Sequence, residues 1–129
     1  MHDSCVFCEM KPGSIIADTE LSLAINDRYP VSRGHTLIMP RRHVASIFEL
    51  TDSEYTDILS LMRQVKAQHV AEYQPDGWNI GINDGVAAGQ TIMHLHLHVI
   101  PRYVGDVEDP RGGIRHLFPS RARYWENPQ

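Results

Sequence analysis

Three histidines alternate with apolar residues in His94-Leu95-His96-Leu97-His98-Val99-Ile100. On an extended strand alternate side chains share a face. The three imidazoles then point one way, and Leu95, Leu97 and Val99 point the other. Same-face neighbours lie about 7 Å apart, so one imidazole can attack a bound group while the others touch it. Two further readings fit the same spacing. Histidines at i and i+2 can bind a catalytic zinc that keeps an open position for water. A polar strand face can also simply use histidine.

The residues before the triad add to the first reading. Gly85-Val86-Ala87-Ala88-Gly89-Gln90-Thr91 is small enough for its backbone to approach a ligand closely. Its N–H groups can form an anion nest, and Gln90 and Thr91 add neutral donors. A nucleophilic histidine beside oriented donors suits phosphoryl or nucleotidyl transfer, where charge on the equatorial oxygens must be stabilised. By itself the segment would pass for an ordinary loop.

Cys5-Val6-Phe7-Cys8 is a C-x-x-C pair. A thioredoxin-like redox role needs a helix start, which Pro12-Gly13 just beyond argues against. Two unused thiols, or half of a structural zinc site completed by histidines elsewhere, are the other readings.

The elements that must hold these groups follow from periodicity. Leu21 to Asn26 alternates as a strand, and Arg28-Tyr29-Pro30 with Ser32-Arg33-Gly34 marks a turn. A second strand runs from His35 to Met39 and stops at Pro40. Thr51-Asp52-Ser53-Glu54 is a capping box that opens a helix. Tyr55, Ile58, Leu59, Met62, Val65, His69 and Val70 carry the helical spacing, which ends before Pro75. A third strand spans Trp78 to Asn83, and a fourth, Ile92 to Ile100, bears the triad. Trp78 reads as core. Arg41 and Arg42 read as solvated rather than phosphate-steering, and His2, His69 and His116 as structural or exposed. Hairpins around one long helix give an α+β fold with an antiparallel sheet.

The chain has 129 residues, 42% hydrophobic and 22% charged, which fits one domain. A formal charge of −4 offers no basic surface for a nucleic-acid polymer. No apolar run is long enough to span a membrane. The N-terminus lacks the basic and apolar regions of a signal peptide. The expectation is a cytoplasmic protein.

At this point the sequence resembles the histidine triad family. Its His-φ-His-φ-His-φ-φ signature, where φ is apolar, is matched at every position from His94 to Ile100. Gly89-Gln90-Thr91 is similar to the family's phosphate-binding Gly-Gln-Ser/Thr, and Gly34-His35-Thr36-Leu37-Ile38 to its Gly-His strand. The resemblance runs from about Cys5 to Arg102, within a single domain over 1–129, and leaves 103–129 as a C-terminal extension. It implies a five-stranded antiparallel sheet with one long helix and a shorter one, paired into a homodimer. It implies that His96 attacks the α-phosphate of a nucleotide and forms a nucleotidyl-histidine that water hydrolyses. His96 would donate its other ring proton to the backbone carbonyl of His94. His98 would contact the phosphate or the bridging oxygen. Gln90 and Thr91 would hold the α-phosphate, with Gly89 beside them. Asp27 would bind the ribose hydroxyls, Asn83 would line the phosphate side, and Phe7 would contact the base. His35 would support the triad from behind.

The resemblance also bears on the cysteines. Some branches hold a zinc with such a pair, a histidine after the second core strand and the first triad histidine. Those positions are Cys5, Cys8, His43 and His94. Four protein ligands close the shell, so the zinc would be structural and the attack would need no catalytic metal. If His94 binds zinc, the triad is not a three-histidine catalytic metal site. Thr91 and the Asp84-Gly85-x-x-x-Gly-Gln loop resemble the fragile histidine triad-like branch, which hydrolyses dinucleoside polyphosphates. The alternative in the family is a nucleoside phosphoramidase. Outside its chemistry stand a metal-dependent phosphoesterase and a nucleotide-binding module without turnover.

Overall fold

The structure, a computed structural model, describes residues 4–126. Five strands form one antiparallel sheet: β1 (Ile15–Asp18), β2 (Ser22–Asn26), β3 (Thr36–Pro40), β4 (Gly77–Ile82) and β5 (Leu97–Arg102). Their order is β1-β2-β3-β5-β4, so the triad strand lies inside the sheet and β4 forms an edge. One helix, α1 (Asp52–Tyr73), crosses the sheet.

The capping box forms as read. Thr51 accepts from the Glu54 backbone N–H, and the Glu54 carboxylate accepts from the Thr51 N–H. Glu54 is buried and also receives the Arg42 guanidinium. That pairing pulls its carboxyl down to about 2. Gln74 closes the helix in the left-handed conformation (φ 52°) before Pro75. The buried face is Ile58, Leu61, Val65 and His69, while Leu59 and Val70 of the expected stripe face outward. Ile58, Leu61 and Val65 pack with Ala24, Ile38, Leu95 and Val99 as the main core.

Three features depart from the sequence reading. β1 carries no sequence signal because it has four residues and a bulge between Ile15 and Ala17. The shorter helix is replaced by 3₁₀ turns of three to five residues, such as Ile47–Glu49 and Gly113–Leu117. The triad strand is also shorter than Ile92 to Ile100. Its pairing begins at Leu97, opposite Ile38 on β3 and Ile82 on β4. Beyond Ile38, β3 ends at Pro40, which has no N–H to donate. Leu95 instead donates to the Val44 carbonyl at 2.7 Å.

His69 is a buried polar group in this core. Its ring stacks on Trp78 at 5.4 Å, and its Nε2 meets the Thr36 hydroxyl at 2.9 Å. Burial pushes its pKa below the ordinary 6.5, with Glu72 opposing. His35 and His98 shift the same way, also through burial. A histidine held neutral by folding stabilises fully above its unfolded pKa of about 6.5, and loses that contribution as pH falls through the folded value. Thermal melts should therefore show a midpoint that declines below about pH 6.5. His69→Phe should flatten that decline, and an unchanged slope would contradict it.

Candidate active site

His96 precedes β5, on the irregular stretch before Leu97. Its Nδ1 lies 2.9 Å from the His94 carbonyl oxygen. A carbonyl only accepts, so Nδ1 carries the proton and Nε2 presents its lone pair. The His98 ring sits 5.3 Å from the His96 ring.

His98 is fixed by a second chain of contacts. The Val31 N–H donates to His35 Nδ1 at 3.1 Å, which leaves the proton of neutral His35 on Nε2. That nitrogen lies 2.9 Å from His98 Nδ1 and 3.2 Å from Asp27 Oδ2. His98 Nδ1 therefore accepts, and its proton sits on Nε2. Burial, reinforced by the charges of His96 and His35, holds His98 below its ordinary pKa, with Asp27 opposing. The arrangement places a lone pair at His96 Nε2 beside a donor at His98 Nε2.

His94 does not share this face. Its side chain is fully buried. Its Nε2 meets the Pro40 carbonyl at 2.8 Å, so Nε2 donates and Nδ1 keeps a lone pair. That lone pair lies 3.5 Å from the sulfurs of Cys5 and Cys8. His43 Nδ1 lies 3.2 Å from Cys8 Sγ. One ligand atom from each of Cys5, Cys8, His43 and His94 falls within 4.8 Å of the others. Two thiols and two imidazoles so gathered suit a tetrahedral zinc. The correction to the triad has a simple cause: without strand pairing before Leu97, the period-two rule does not govern His94.

The glycine-rich loop is also built differently from expectation. Gln90 is buried, and its carboxamide is engaged at both ends. Oε1 accepts from the Gly85 N–H at 2.8 Å, while Nε2 donates to the carbonyls of Ala45 and Ile92. Gln90 thus shapes the loop from within. Gly85 and Gly89 take left-side φ angles of 95° and 93° that favour glycine. Gly89 and Thr91 remain exposed.

Phe7 is buried, 5.1 Å from the His96 ring and 5.8 Å from the His94 ring. It packs behind the histidines as part of a second core with Ile25, Leu37 and Met39. The Asp27 carboxylate reaches His35 and the Tyr29 N–H. Asn83 lines a cavity with His98. Arg41 and Arg42 pair with Asp18 and Glu54. Trp78 packs against the core. His116 lies exposed with its Nε2 on the Arg111 carbonyl, and His2 lies outside the described residues.

A histidine pair with fixed tautomers beside a glycine loop can now be set against known proteins. The HIT domain family matches residues 9–105. The chain belongs to the histidine triad family. A bis(5′-nucleosyl)-tetraphosphatase of Schizosaccharomyces pombe is 41% identical over 110 residues, covering 84% of this chain and 60% of that protein. An adenosine 5′-monophosphoramidase of the same yeast is 39% identical over 103 residues, covering 77% and 74%. A zinc-bound histidine triad family protein from Mycobacterium smegmatis superposes with a TM-score of 0.72 at 32% identity, covering 97% of this chain and 98% of that one. This histidine triad protein thus has hydrolases of nucleotide derivatives among its relatives. Two residues escaped the sequence reading. Asp84 accepts from the Ser46 hydroxyl and the Ile47 N–H, tying the loop to the segment after β3. Gly81 faces His98 across the β4–β5 pair. The Asp84-Gly85-x-x-x-Gly-Gln resemblance contained the first without giving it a role; nothing in the pattern marked the second.

Proposed function

We propose that this protein cleaves nucleotide derivatives at the α-phosphate through a covalent nucleotidyl-His96, releasing a nucleoside monophosphate. The observation that carries this is the opposed tautomers of His96 and His98. His96 Nε2 attacks phosphorus with its lone pair as the bond to the leaving group breaks. His98 Nε2–H donates a hydrogen bond to the departing atom, which takes any proton it needs from water, and His35 Nε2–H holds His98 in that tautomer. Water then attacks the nucleotidyl-histidine and frees His96. The N–H groups of Ala88, Gly89 and Gln90 donate within the loop, so the Thr91 hydroxyl and the backbone N–H groups beyond Gln90 stabilise the charged phosphoryl oxygens. Gln90 acts as a positioning residue for that loop, and Asp27 orients His35 at the ribose side.

Dinucleoside polyphosphates are the favoured substrates, on the Asp84-to-Thr91 loop and the tetraphosphatase relative. Nucleoside phosphoramidates are the second reading, on the monophosphoramidase relative. A structural zinc would be held by Cys5, Cys8, His43 and His94, where it would fix the N-terminal turn and take no part in the attack. The exposed face of α1 and the free edge of β4 suit a two-fold homodimer, which sedimentation would test. No helix among the described residues is long and apolar enough to cross a membrane, in keeping with a cytoplasmic setting.

Enzyme from a single turnover of diadenosine tetraphosphate, quenched in alkaline denaturant because the P–N bond is acid-labile, then digested at alkaline pH and read by mass spectrometry, should carry adenylate on the His96 peptide. Rapid turnover with unmodified His96 at every quench time would overturn the covalent route.

A further inference from the structure

His69 carries a hydrogen-bond acceptor that the fold leaves unmet. The Thr36 hydroxyl donates its single proton to the Gly34 carbonyl at 2.8 Å. Its 2.9 Å contact with His69 Nε2 therefore has the ring as donor. A neutral imidazole has one ring proton, so Nδ1 holds a lone pair. Among the described residues that atom is buried and has no hydrogen-bond partner, and His69 as a whole is 3% exposed. The N–H groups inside α1 are engaged with carbonyls four residues back and do not serve it. Buried polar groups are nearly always paired, so an orphan marks a contact to be filled.

The ring borders a cleft of about 550 Å³ between the last turns of α1 and strands β1 and β2. That volume is within the range of small-molecule sites. Ile16, Ala71 and Tyr73 give it apolar wall, and Asn26 and Gln68 add amides. Tyr73 packs directly on the turn before β3, where a Cβ on Gly34 would strike its ring at 2.9 Å. The cleft lies across the sheet from the reacting histidines. Thr36 shares its strand face with Ile38, which packs into the core with α1. Leu37 points the other way and packs with Phe7, whose ring touches His96.

The electrostatics of the cleft select the sign of its occupant. Its lining has no lysine or arginine, and includes the Glu72 carboxylate. Burial, and then the charge of Glu72, raise the Tyr73 hydroxyl above its ordinary pKa, so carboxylate and phenol are neighbours. The last turn of α1 holds no basic side chain, and a helix C-terminus carries partial negative charge that favours cations. Arg33 meets the Tyr73 carbonyl at 3.4 Å but does not line the cleft. Burial keeps His69 neutral, so the ring offers a lone pair and no competing charge. An anion here would meet a carboxylate, a lone pair and a negative helix end. A cation with N–H groups would meet all three favourably, with its carbon stem between Ile16 and Ala71.

We propose that this cleft binds a small organic ammonium, which donates an N–H to His69 Nδ1 and pairs its charge with Glu72. The Nδ1 atom is closed to solvent, so the ligand reaches it by parting the side chains around it, of which Gln68 and Glu72 are exposed. No bond is made or broken, and the ligand keeps its proton. The site does not depend on the α-phosphate chemistry, because the sheet stands between it and His96.

Probes of similar size separate donor from charge. Butylammonium has both, butan-1-ol has a donor without charge, and tetramethylammonium has charge without a donor. In the whole chain with isotope-labelled histidines, the His69 Nδ1 resonance is assigned by its loss in His69→Phe. It should move upfield as butylammonium is added, with an affinity of about 1 mM or tighter for a ligand of this size. Butan-1-ol and tetramethylammonium should bind about tenfold or more weakly than butylammonium. Glu72→Gln, at an exposed position, should weaken butylammonium about tenfold and leave butan-1-ol within about twofold. Adenosine monophosphate should leave the butylammonium affinity unchanged. The backbone amide shifts of Gln68 to Tyr73 report the same affinities, so the test stands if His69→Phe does not fold. A resonance that stays still at about 10 mM butylammonium overturns the proposal and leaves water as the partner of Nδ1. Equal affinity for butan-1-ol, or no effect of Glu72→Gln, overturns the cation; equal affinity for tetramethylammonium overturns the contact to His69. Displacement by adenosine monophosphate puts the amine in the nucleotide site and overturns the cleft.

Discussion

His96→Ala should lower kcat by about four to six orders of magnitude, the scale seen when a covalent nucleophile is removed. The structure explains why no neighbour can substitute. His94 is buried with its Nδ1 toward the thiols, and His98 Nδ1 is taken by His35. Neither offers a lone pair at the place His96 holds. The fold should be unaffected, because His96 lies before the paired part of β5. His96→Gly opens a space that free imidazole can enter, and added imidazole should restore part of the turnover. A binding module without chemistry predicts something else: a change of affinity in His96→Ala and no turnover in the unaltered protein. Steady-state rates with diadenosine tetraphosphate and adenosine phosphoramidate, with and without imidazole, decide between them. An alanine variant that retains more than about a tenth of the rate would exclude His96 as nucleophile.

Removing a metal from the Cys5–Cys8–His43–His94 cluster should weaken stability and activity together. The cluster joins the N-terminal turn to the loop after β3 and to the approach to β5. A structural zinc typically contributes several kcal/mol or more to folding. At about 4 °C per kcal/mol for a domain of this size, the melting midpoint should fall by about 10 °C or more on chelation. Cys5→Ser and Cys8→Ser should reproduce the loss in protein prepared with zinc, and metal content should approach one ion per chain only in the unaltered protein. A catalytic ion would give the opposite division, with turnover lost on chelation and the melt unmoved.

How far the sequence carried depended on how local each signal was. The capping box, α1 and strands β2 to β4 follow from spacing and turn residues within a few positions. β1 was hidden because four residues with a bulge do not show alternation. The triad motif identified the site, yet alternation misplaced His94, since strand pairing depends on where β3 ends rather than on the histidines themselves. Gln90 is a similar case. Its type suggested a donor to phosphate, but the Gly85, Ala45 and Ile92 backbone groups that engage its carboxamide are brought to it by the fold. The relay from Val31 through His35 to His98 crosses 67 residues of sequence, and no spacing rule reports it.

His94 serves two neighbours through different atoms. Its carbonyl fixes the proton on His96, while its imidazole faces the thiols. Every amino acid has that carbonyl. The metal requirement and the catalytic requirement at this position are therefore separable by mutation. His94→Asn should forfeit the ion while the backbone still orients the nucleophile, provided the chain stays folded. A lineage that held a zinc there could lose it one ligand at a time and keep the nucleophile oriented, if packing in the second core compensated for the lost tether.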